Sequence, residues 1–260
     1  GFGDPTTIPM FDDAASAGGA GDGVFTAMVP AQDARTLVRY AVSATNSNGT
    51  TRNPAANDTI GYHGLVTDDP NDPTDIAVID WFIDRGPFRD LLGKFRWRDV
   101  YVPTVIAFGD QVIDNAGIRV RGGITRSLEK PSFKVELPSG QEIDFGDELD
   151  APVDEFNMFL TADPTTGIGW EIVDEVGLQD IDVFPWRVYR NGEFWGTGSY
   201  LTATDGRFRD AAGYGDAAVY KADQKMDARP TPADIEIQWE KKEGSDDFTD
   251  IWNLTNIVDA

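Results

Sequence analysis

The stretch that decides the fold reads Gly117-Ile-Arg-Val-Arg-Gly-Gly-Ile-Thr-Arg-Ser-Leu-Glu-Lys-Pro-Ser-Phe-Lys-Val-Glu-Leu137. Apolar residues occupy alternate positions on both sides of a glycine pair, and a period of two is typical of β-strands. Gly122 and Gly123 interrupt the two runs, so the stretch predicts a strand, a loop and a returning strand. The alternating apolar residues are Ile118, Val120, Phe133, Val135 and Leu137.

Basic side chains lie between and beside those apolar residues. Arg119, Arg121, Arg126, Lys130 and Lys134 fall within one short stretch of a chain that is otherwise strongly acidic. Such a local reversal of charge attracts polyanions, and glycines allow a ligand to approach the backbone closely. The pattern therefore favours a phosphate-binding hairpin. The alternative, in which these residues pair with carboxylates of the same protein, stays open.

Composition limits the class of protein. The 260 residues carry 45 acidic and 22 basic side chains, with a formal net charge of -23. This charge argues against nucleic acid or an anionic membrane surface as the main partner, and it favours an extracellular or high-salt setting. The absence of cysteine excludes disulfides and thiolate zinc sites. His63 is the only histidine, which argues against a Ser-His-Asp triad. No apolar run approaches the roughly 18 residues of a membrane span, so no membrane segment is predicted.

Turn-forming residues divide the chain into two predicted domains. Residues 1–67 combine Gly and Asp turns with short alternating runs such as Val24–Val29, and Asn48-Gly49 is a hairpin-type turn. They predict a small β-sandwich and resemble the immunoglobulin- or fibronectin-like modules of secreted bacterial proteins. Residues 68–75 are rich in Pro and Asp and predict a linker, which residues 76–260 follow as the second domain.

The second domain mixes strand and helix signals. A helix is predicted over Asp163–Val176, because Asp163 is a cap before Pro164 and Gly177 is a stop. Another helix is expected near the end of the chain, capped by Ser245, whereas Asp75–Asp84 fits a helix and an extended run equally. The predicted fold class is α+β, with strands at Val100–Phe108, Ile118–Val120, Ser132–Leu137, Phe156–Leu160, Pro185–Tyr189 and Phe194–Thr202.

Five ordered blocks of the second domain are similar to motifs of the spore-coat protein H (CotH) kinase family, a group of atypical secreted protein kinases. Asn115–Ser127 with Lys130–Lys134 resembles the family's arginine-glycine and lysine motifs. Trp186–Gly196 resembles its Val-Tyr-x-Asn-Gly hairpin. The other blocks are Phe156–Leu160 with Asp163-Pro164, Val219–Ala222 and Trp239–Lys242.

The resemblance implies an atypical protein-kinase-like N-lobe, an antiparallel sheet plus a helix, after the β-sandwich. It also implies ATP and Mg²⁺ as cofactors and a protein acceptor as partner. Lys130 or Lys134 would act on the phosphates, and Glu171 would orient that lysine. Catalytic and metal-binding residues are expected beyond Ala260, so the chain is expected to lack the C-lobe. The implied ATP-binding residues are Arg121, Gly122, Gly123, Arg126, Lys130, Lys134, Glu171 and Lys221.

Two functions follow from the sequence as hypotheses. The first is a fragment of a secreted or cell-surface protein kinase that transfers the ATP γ-phosphate to Ser or Thr of extracellular or coat proteins. The alternative is a non-catalytic surface, adhesion or scaffold protein with a degenerate kinase lobe. Thr165–Gly169 lacks an Arg, and Leu201–Thr204 lacks an acidic residue, that the family usually carries there. Both departures favour the alternative.

Overall fold

A computed structural model gives the fold of the chain. It describes residues 4–13, 15, 18–72, 76–160, 164–176, 181–204, 206–211, 213–222, 231–235, 239–243 and 248–258. The chain folds into two compact units. One unit comprises Gly1–Pro164 with Phe184–Tyr200, and the other comprises Thr165–Val183 with Leu201–Ala260.

Strands dominate the described residues, and five α-helices accompany them. The strands are β1 (Leu37–Tyr40), β2 (Val42–Asn46), β3 (Gly49–Asn53), β4 (His63–Val66), β5 (Ala77–Phe82), β6 (Val102–Phe108), β7 (Gln111–Val120), β8 (Phe133–Glu136), β9 (Glu155–Phe159), β10 (Val183–Arg190), β11 (Glu193–Thr202), β12 (Val219–Ala222) and β13 (Trp239–Glu243). The helices are α1 (Arg85–Leu92), α2 (Pro164–Glu175), α3 (Gly206–Ala211), α4 (Pro232–Ile235) and α5 (Thr249–Val258).

A closed barrel of seven strands forms the centre of the first unit, in the order β10-β11-β9-β8-β7-β6-β5. From β5 to β9 each strand pairs antiparallel with the next one along the chain. β5 and β10 are parallel, with Asp80 opposite Tyr189, and their pairing closes the barrel. β5 suits this position because Ile79, Asp80 and Trp81 are all buried, and parallel pairing occurs where both faces of a strand are covered.

The interior of the barrel is apolar and largely aromatic. Ile118 lies opposite Val135 and Val120 opposite Phe133, and all four side chains are fully buried. This confirms the strand, loop and strand predicted from Gly117 to Leu137. Phe145 fills the middle of the core, with ring centroids 4.8 to 6.1 Å from those of Phe108, Phe156, Phe184, Trp186 and Tyr200.

The second unit has a small core of its own. β12 and β13 form an antiparallel pair. The buried residues Ile235, Trp239 and Ile251 come from α4, β13 and α5. No helix among the described residues is long and apolar enough to cross a membrane.

The structure confirms the α+β class and corrects its finer description. In place of a kinase-like N-lobe with an antiparallel sheet and a helix, the first unit contains the closed seven-stranded barrel. The sequence left Asp75–Asp84 undecided between helix and extended run, and this segment supplies β5, the strand that closes the barrel. The six strands predicted between Val100 and Thr202 are confirmed, because β6 to β11 form at these positions.

The predicted β-sandwich in residues 1–67 is also corrected. The described residues of this segment form two separate two-stranded sheets, β1 with β4 and β2 with β3. Most side chains of β2 and β3 are exposed, so this hairpin has no buried face that could pack on a second sheet. In place of a strand over Val24–Val29 there is a single bridge between Phe11 and Thr26. The domain boundaries at 67 and 76 stay predictions.

Two predicted helices are present. α2 begins at Pro164 as expected, while its predicted cap Asp163 and stop Gly177 lie outside the described residues. α5 forms near the predicted end, and Ser245, its predicted cap, also lies outside the described residues. The sequence did not predict α1, whose eight residues include Gly86 and Pro87. Gly and Pro are weak helix formers, so the sequence pattern of this short segment does not predict a helix.

A buried arginine fastens the segment before the barrel to its closing strands. Arg35 is 6% exposed and pairs with Asp80 of β5 at 2.7 Å. It also pairs with Asp72, and its guanidinium lies 3.6 Å from the ring centroid of Tyr189 in β10. Because Asp80 and Tyr189 are opposite each other in the parallel pair, Arg35 spans the seam at which the barrel closes.

A second arginine fastens the same segment to β7. Arg39 donates to Asp114 Oδ1 at 2.8 Å, and Asp114 Oδ2 accepts the backbone N–H of Gly61 at 3.1 Å. Asp114 is buried, so its charge needs these partners. Where β4 meets β7, an added Cβ on Gly64 would lie 2.4 Å from Val112 Cγ1. Glycine therefore allows the backbone of β4 to lie against the Val112 side chain of β7.

The Arg35 pair generates a prediction for stability. Arg35→Met leaves the buried Asp80 without its cation, and we expect the free energy of unfolding to fall by about 3 to 5 kcal/mol. Arg35→Met/Asp80→Asn removes the stranded charge and should recover a large part of that loss. Urea denaturation of the wild type, both single variants and the double variant measures the coupling. Additive losses would contradict the role of the ion pair.

The same variants should differ in their pH dependence. Burial raises the pKa of Asp80 above its ordinary value of 3.8, and the charge of Arg35 and its hydrogen bond offset this in part. In Arg35→Met that offset is lost, so the pKa of Asp80 in the folded state rises further above its value in the unfolded state. Above about pH 4 the folded state therefore keeps a proton on Asp80 that the unfolded state has released. The cost of Arg35→Met should therefore grow as the pH rises from 4 to 7, whereas Arg35→Met/Asp80→Asn should not show this additional slope.

Gly198 in β11 gives a test of the pairing between β9 and β11. An added Cβ at Gly198 would lie 2.1 Å from the carbonyl oxygen of Phe159, whereas at Gly196 the nearest atom, Lys130 Nζ, is 3.8 Å away. We expect Gly198→Ala to lower the free energy of unfolding by about 1 to 3 kcal/mol, because backbone atoms cannot move aside. Gly196→Ala should cost less than about 0.5 kcal/mol under the same denaturation conditions. Equal costs would contradict this strand pairing.

Candidate phosphate-binding site

The basic residues of the predicted hairpin lie where β7 ends and β8 begins. Arg119 is opposite Lys134 in the antiparallel pair, and the backbone N–H of Arg121 donates to Ser132 O at 2.9 Å. Residues two apart on a strand share a face, so Arg119, Arg121 and Lys134 lie on the outer face of the barrel. Three of the five basic residues predicted from the sequence are thus brought to one surface.

The two glycines have different roles in the loop. Gly122 has φ +94°, and an added Cβ would lie 2.1 Å from Thr125 Oγ1. Gly122 is therefore required by the turn itself. An added Cβ on Gly123 would meet nothing within 4 Å, so the backbone there has room for a ligand.

Arg121 has no carboxylate partner among the residues that the structure describes. Its side chain is half-buried at the end of β7. Burial lowers the pKa of Arg121, and the neighbouring charge of Arg119 lowers it further. An arginine nevertheless keeps its proton in proteins, so Arg121 is a charge that neither water nor an acid fully compensates.

Arg119 and Arg126 share one carboxylate. Asp99 Oδ1 lies 2.8 Å from Arg119 Nη1 and 2.6 Å from Arg126 Nη2. Arg96 supports this arrangement, because its Nη1 donates to the carbonyl oxygens of Arg126 and Leu128 at 2.8 and 3.0 Å. Two cations on one exposed carboxylate leave a net positive charge beside Arg121.

The two predicted phosphate lysines are occupied in different ways. Lys134 Nζ pairs with Glu155 at 2.6 Å. This pair fits the alternative prediction, in which the basic residues of the hairpin pair with carboxylates of the same protein. Lys130 lies away from that pair, because its Nζ donates to the carbonyl oxygen of Trp195 and lies 5.1 Å from the centre of that indole. The structure therefore brings Lys130 to β11 and keeps Lys134 on the outer face of β8.

The two remaining predicted residues belong to the second unit. Glu171 lies in α2, and its side chain is outside the described part of the chain. Its predicted role in orienting a lysine stays a prediction. Lys221 in β12 is opposite Glu240 of β13, with Nζ 3.7 Å from Glu240 Oε2.

Sequence reasoning missed Arg190, whose guanidinium packs on Trp195. The aromatic residues of the same hairpin belong to the core, since Trp186 and Tyr189 are buried and Trp195 packs against the core. In the sequence, Arg190 is marked only as a basic residue directly before the Asn191-Gly192 turn. Basic residues are too common at strand ends for this position to identify a site.

Two clefts of the first unit lie away from the hairpin. The larger, about 450 Å³, is lined by Arg39, Asp114, Thr104 and Asn115 among others. The smaller, about 280 Å³, is lined by Arg35, Asp84 and Asn191 among others. Within the described part of the chain no group of three or more His, Cys, Asp or Glu is arranged to hold a metal ion.

Neither a scan against protein-family models nor a search of curated proteins found a match for this chain. The candidate site therefore depends on the geometry of the hairpin and on the sequence motifs it contains.

Proposed function

We propose that the outer face of the β7–β8 hairpin binds the phosphates of ATP with Mg²⁺, in a secreted or cell-surface protein kinase similar to the CotH family. The observation that carries this proposal is Arg121, a half-buried cation without a carboxylate partner among the described residues. Perturbed charges of this kind concentrate at functional sites, because a ligand completes what the protein leaves uncompensated.

The surroundings of Arg121 support a phosphate ligand rather than a neutral one. Arg119 and Arg126 hold a single carboxylate, that of Asp99, so the surface next to Arg121 is positively charged. Guanidinium groups bind phosphate oxygens through paired N–H donors. The open backbone at Gly123 gives phosphate oxygens room beside the loop. Together these groups supply the charge neutralisation that phosphoryl transfer requires.

The resemblance to CotH kinases gives the proposal its reaction. In that reaction the ATP γ-phosphate passes to Ser or Thr of an extracellular or coat protein, and Mg²⁺ neutralises charge on the phosphates. Arg121 would hold phosphate oxygens, and Arg119 and Arg126 would add positive charge. Lys134 would contribute once Glu155 releases it. Metal ligands are not assigned to any described residue.

A second candidate function is a non-catalytic surface, adhesion or scaffold protein. Two observations favour it. The first is that the first unit is a closed barrel with buried ion pairs between it and the preceding segment. The second is that Lys134 and Arg126 already have carboxylate partners at 2.6 Å. In this function the hairpin cations stabilise the surface of the barrel, and ATP has no site.

Calorimetric titration of the purified chain with ATP, with and without Mg²⁺, tests the proposal. Arg121→Gln removes the uncompensated cation, and we expect the Kd for ATP to rise about 10- to 100-fold, as for the loss of a charged hydrogen bond. Arg89→Gln makes the same change of charge at a side chain that is 81% exposed, and it should alter the Kd less than about threefold.

Each result of this titration has a distinct meaning. ATP binding that Arg121→Gln weakens and Arg89→Gln leaves intact supports the nucleotide site. Equal weakening by both variants would show only long-range attraction by positive charge, and it would overturn the role of Arg121. If the wild type binds no ATP with or without Mg²⁺, the scaffold function replaces the kinase proposal.

A further inference from the structure

Arg190 at the end of β10 lies in the corner between two aromatic rings. Its guanidinium carbon is 4.1 Å from the ring centroid of Phe88 in α1 and 4.3 Å from that of Trp195 in β11. The two rings are nearly perpendicular, at 89°, with centroids 5.6 Å apart. The guanidinium therefore contacts two aromatic rings, and its paired N–H donors are the groups that hydrogen-bond acceptors could engage.

The polar groups described around this corner are mainly donors. No described residue accepts a hydrogen bond from the buried Arg190 Nε or Trp195 Nε1. Lys130 Nζ lies 5.1 Å from the centre of the same indole. No carboxylate among the described residues forms an ion pair with Arg190. Burial lowers the pKa of Arg190, and the charge of Glu193 offsets this in part.

The end of the barrel around this corner is basic, although the chain as a whole is acidic. One end of the barrel carries the connections between β5 and β6, between β7 and β8, and between β10 and β11. They share this end because β5 and β10 are parallel and β5 to β8 alternate in direction. These connections fall in the segments 83–101, 121–132 and 190–195. They contain nine Lys and Arg against five Asp and Glu, in a chain of net charge -23. An anion that approaches this end meets a local positive field.

We propose that this corner binds a small oxyanion, a carboxylate or phosphate group of a soluble ligand, between the outer edge of the Arg190 guanidinium and the Lys130 ammonium. A guanidinium edge matches two oxygens of either group, and an ammonium adds a second charge. Trp195 orients both cations through its ring and its carbonyl oxygen. This site uses no atom of Arg121 and does not depend on nucleotide binding.

A purely structural role for Arg190 predicts a different behaviour. The aromatic contacts would then be sufficient, and any cation of similar length would replace the arginine. An oxyanion site needs the planar fork itself, because a lysine supplies charge without paired donors. Arg190→Lys separates the two roles, since it keeps the charge and removes the fork.

The test is a titration of ¹⁵N-labelled protein with sodium phosphate and, separately, with sodium citrate, at an ionic strength held constant with sodium chloride. NMR spectra of the arginine Nε–H and indole N–H groups report binding. We expect saturable shifts of the Arg190 and Trp195 signals, and a Kd at least tenfold higher in Arg190→Lys. Lys130→Gln, a change at an exposed side chain, should raise the Kd about threefold or more. Arg89→Gln is the matched control: it removes one charge of the same end at a side chain that is 81% exposed, and it should change the Kd less than Lys130→Gln does.

The two anions distinguish the source of the oxyanion, since tighter binding of phosphate or of citrate identifies which group the corner prefers. Shifts that rise linearly without saturation in both titrations would overturn the site. So would equal Kd values in the wild type, Arg190→Lys and Lys130→Gln. Arg121→Gln should keep the saturable shifts. A variant that loses ATP binding and keeps these shifts separates this site from the nucleotide site, so that either can fail alone.

Discussion

The closed barrel depends on one buried ion pair at its seam. β5 and β10 are the first and the sixth barrel strands along the chain, so no short turn brings their parallel pair together. Arg35 supplies an external link, because it pairs with Asp80 of β5 while its guanidinium covers Tyr189 of β10. The Tyr189 hydroxyl donates to Asp72, a second partner of Arg35, at 3.2 Å. A segment that precedes the barrel thus stabilises the contact between strands that are distant in sequence.

The same residue type is used in two electrostatic settings, and the difference separates structure from function. Arg35 and Arg39 are held by buried carboxylates, so their charges are balanced within the protein. Arg121 and Arg190 are half-buried, yet no described carboxylate balances their charges. A balanced buried pair specifies geometry, whereas an unbalanced cation is costly unless a ligand completes it. This contrast favours Arg121 and Arg190 as candidate ligand contacts over the clefts beside Arg35 and Arg39.

The sequence predicts local structure here much better than topology. The alternation from Ile118 to Leu137 predicts the β7–β8 hairpin, because one face of each strand is buried and the other is not. The closure of the barrel escapes such reasoning, because the partner of β5 lies about a hundred positions along the chain and β5, buried on both faces, has no alternation. The site is predicted in part. Charge reversal identifies Arg121 only as one of five basic residues, and nothing in the sequence shows that Asp99 and Glu155 engage its neighbours or that Lys130 reaches Trp195.

The acidity of the chain and the basic end of the barrel are compatible because electrostatic screening is short-ranged. At physiological ionic strength the Debye length is about 8 Å, so a ligand near Arg190 responds mainly to the charges around it rather than to the net charge of -23. The acidic remainder still repels large anions that would have to approach it. A small anion can therefore reach the basic end, whereas an extended anionic surface meets repulsion from the rest of the molecule. This difference in size would allow the proposed oxyanion site to bind phosphate or carboxylate groups of small ligands while the acidic remainder of the chain repels polyanionic surfaces.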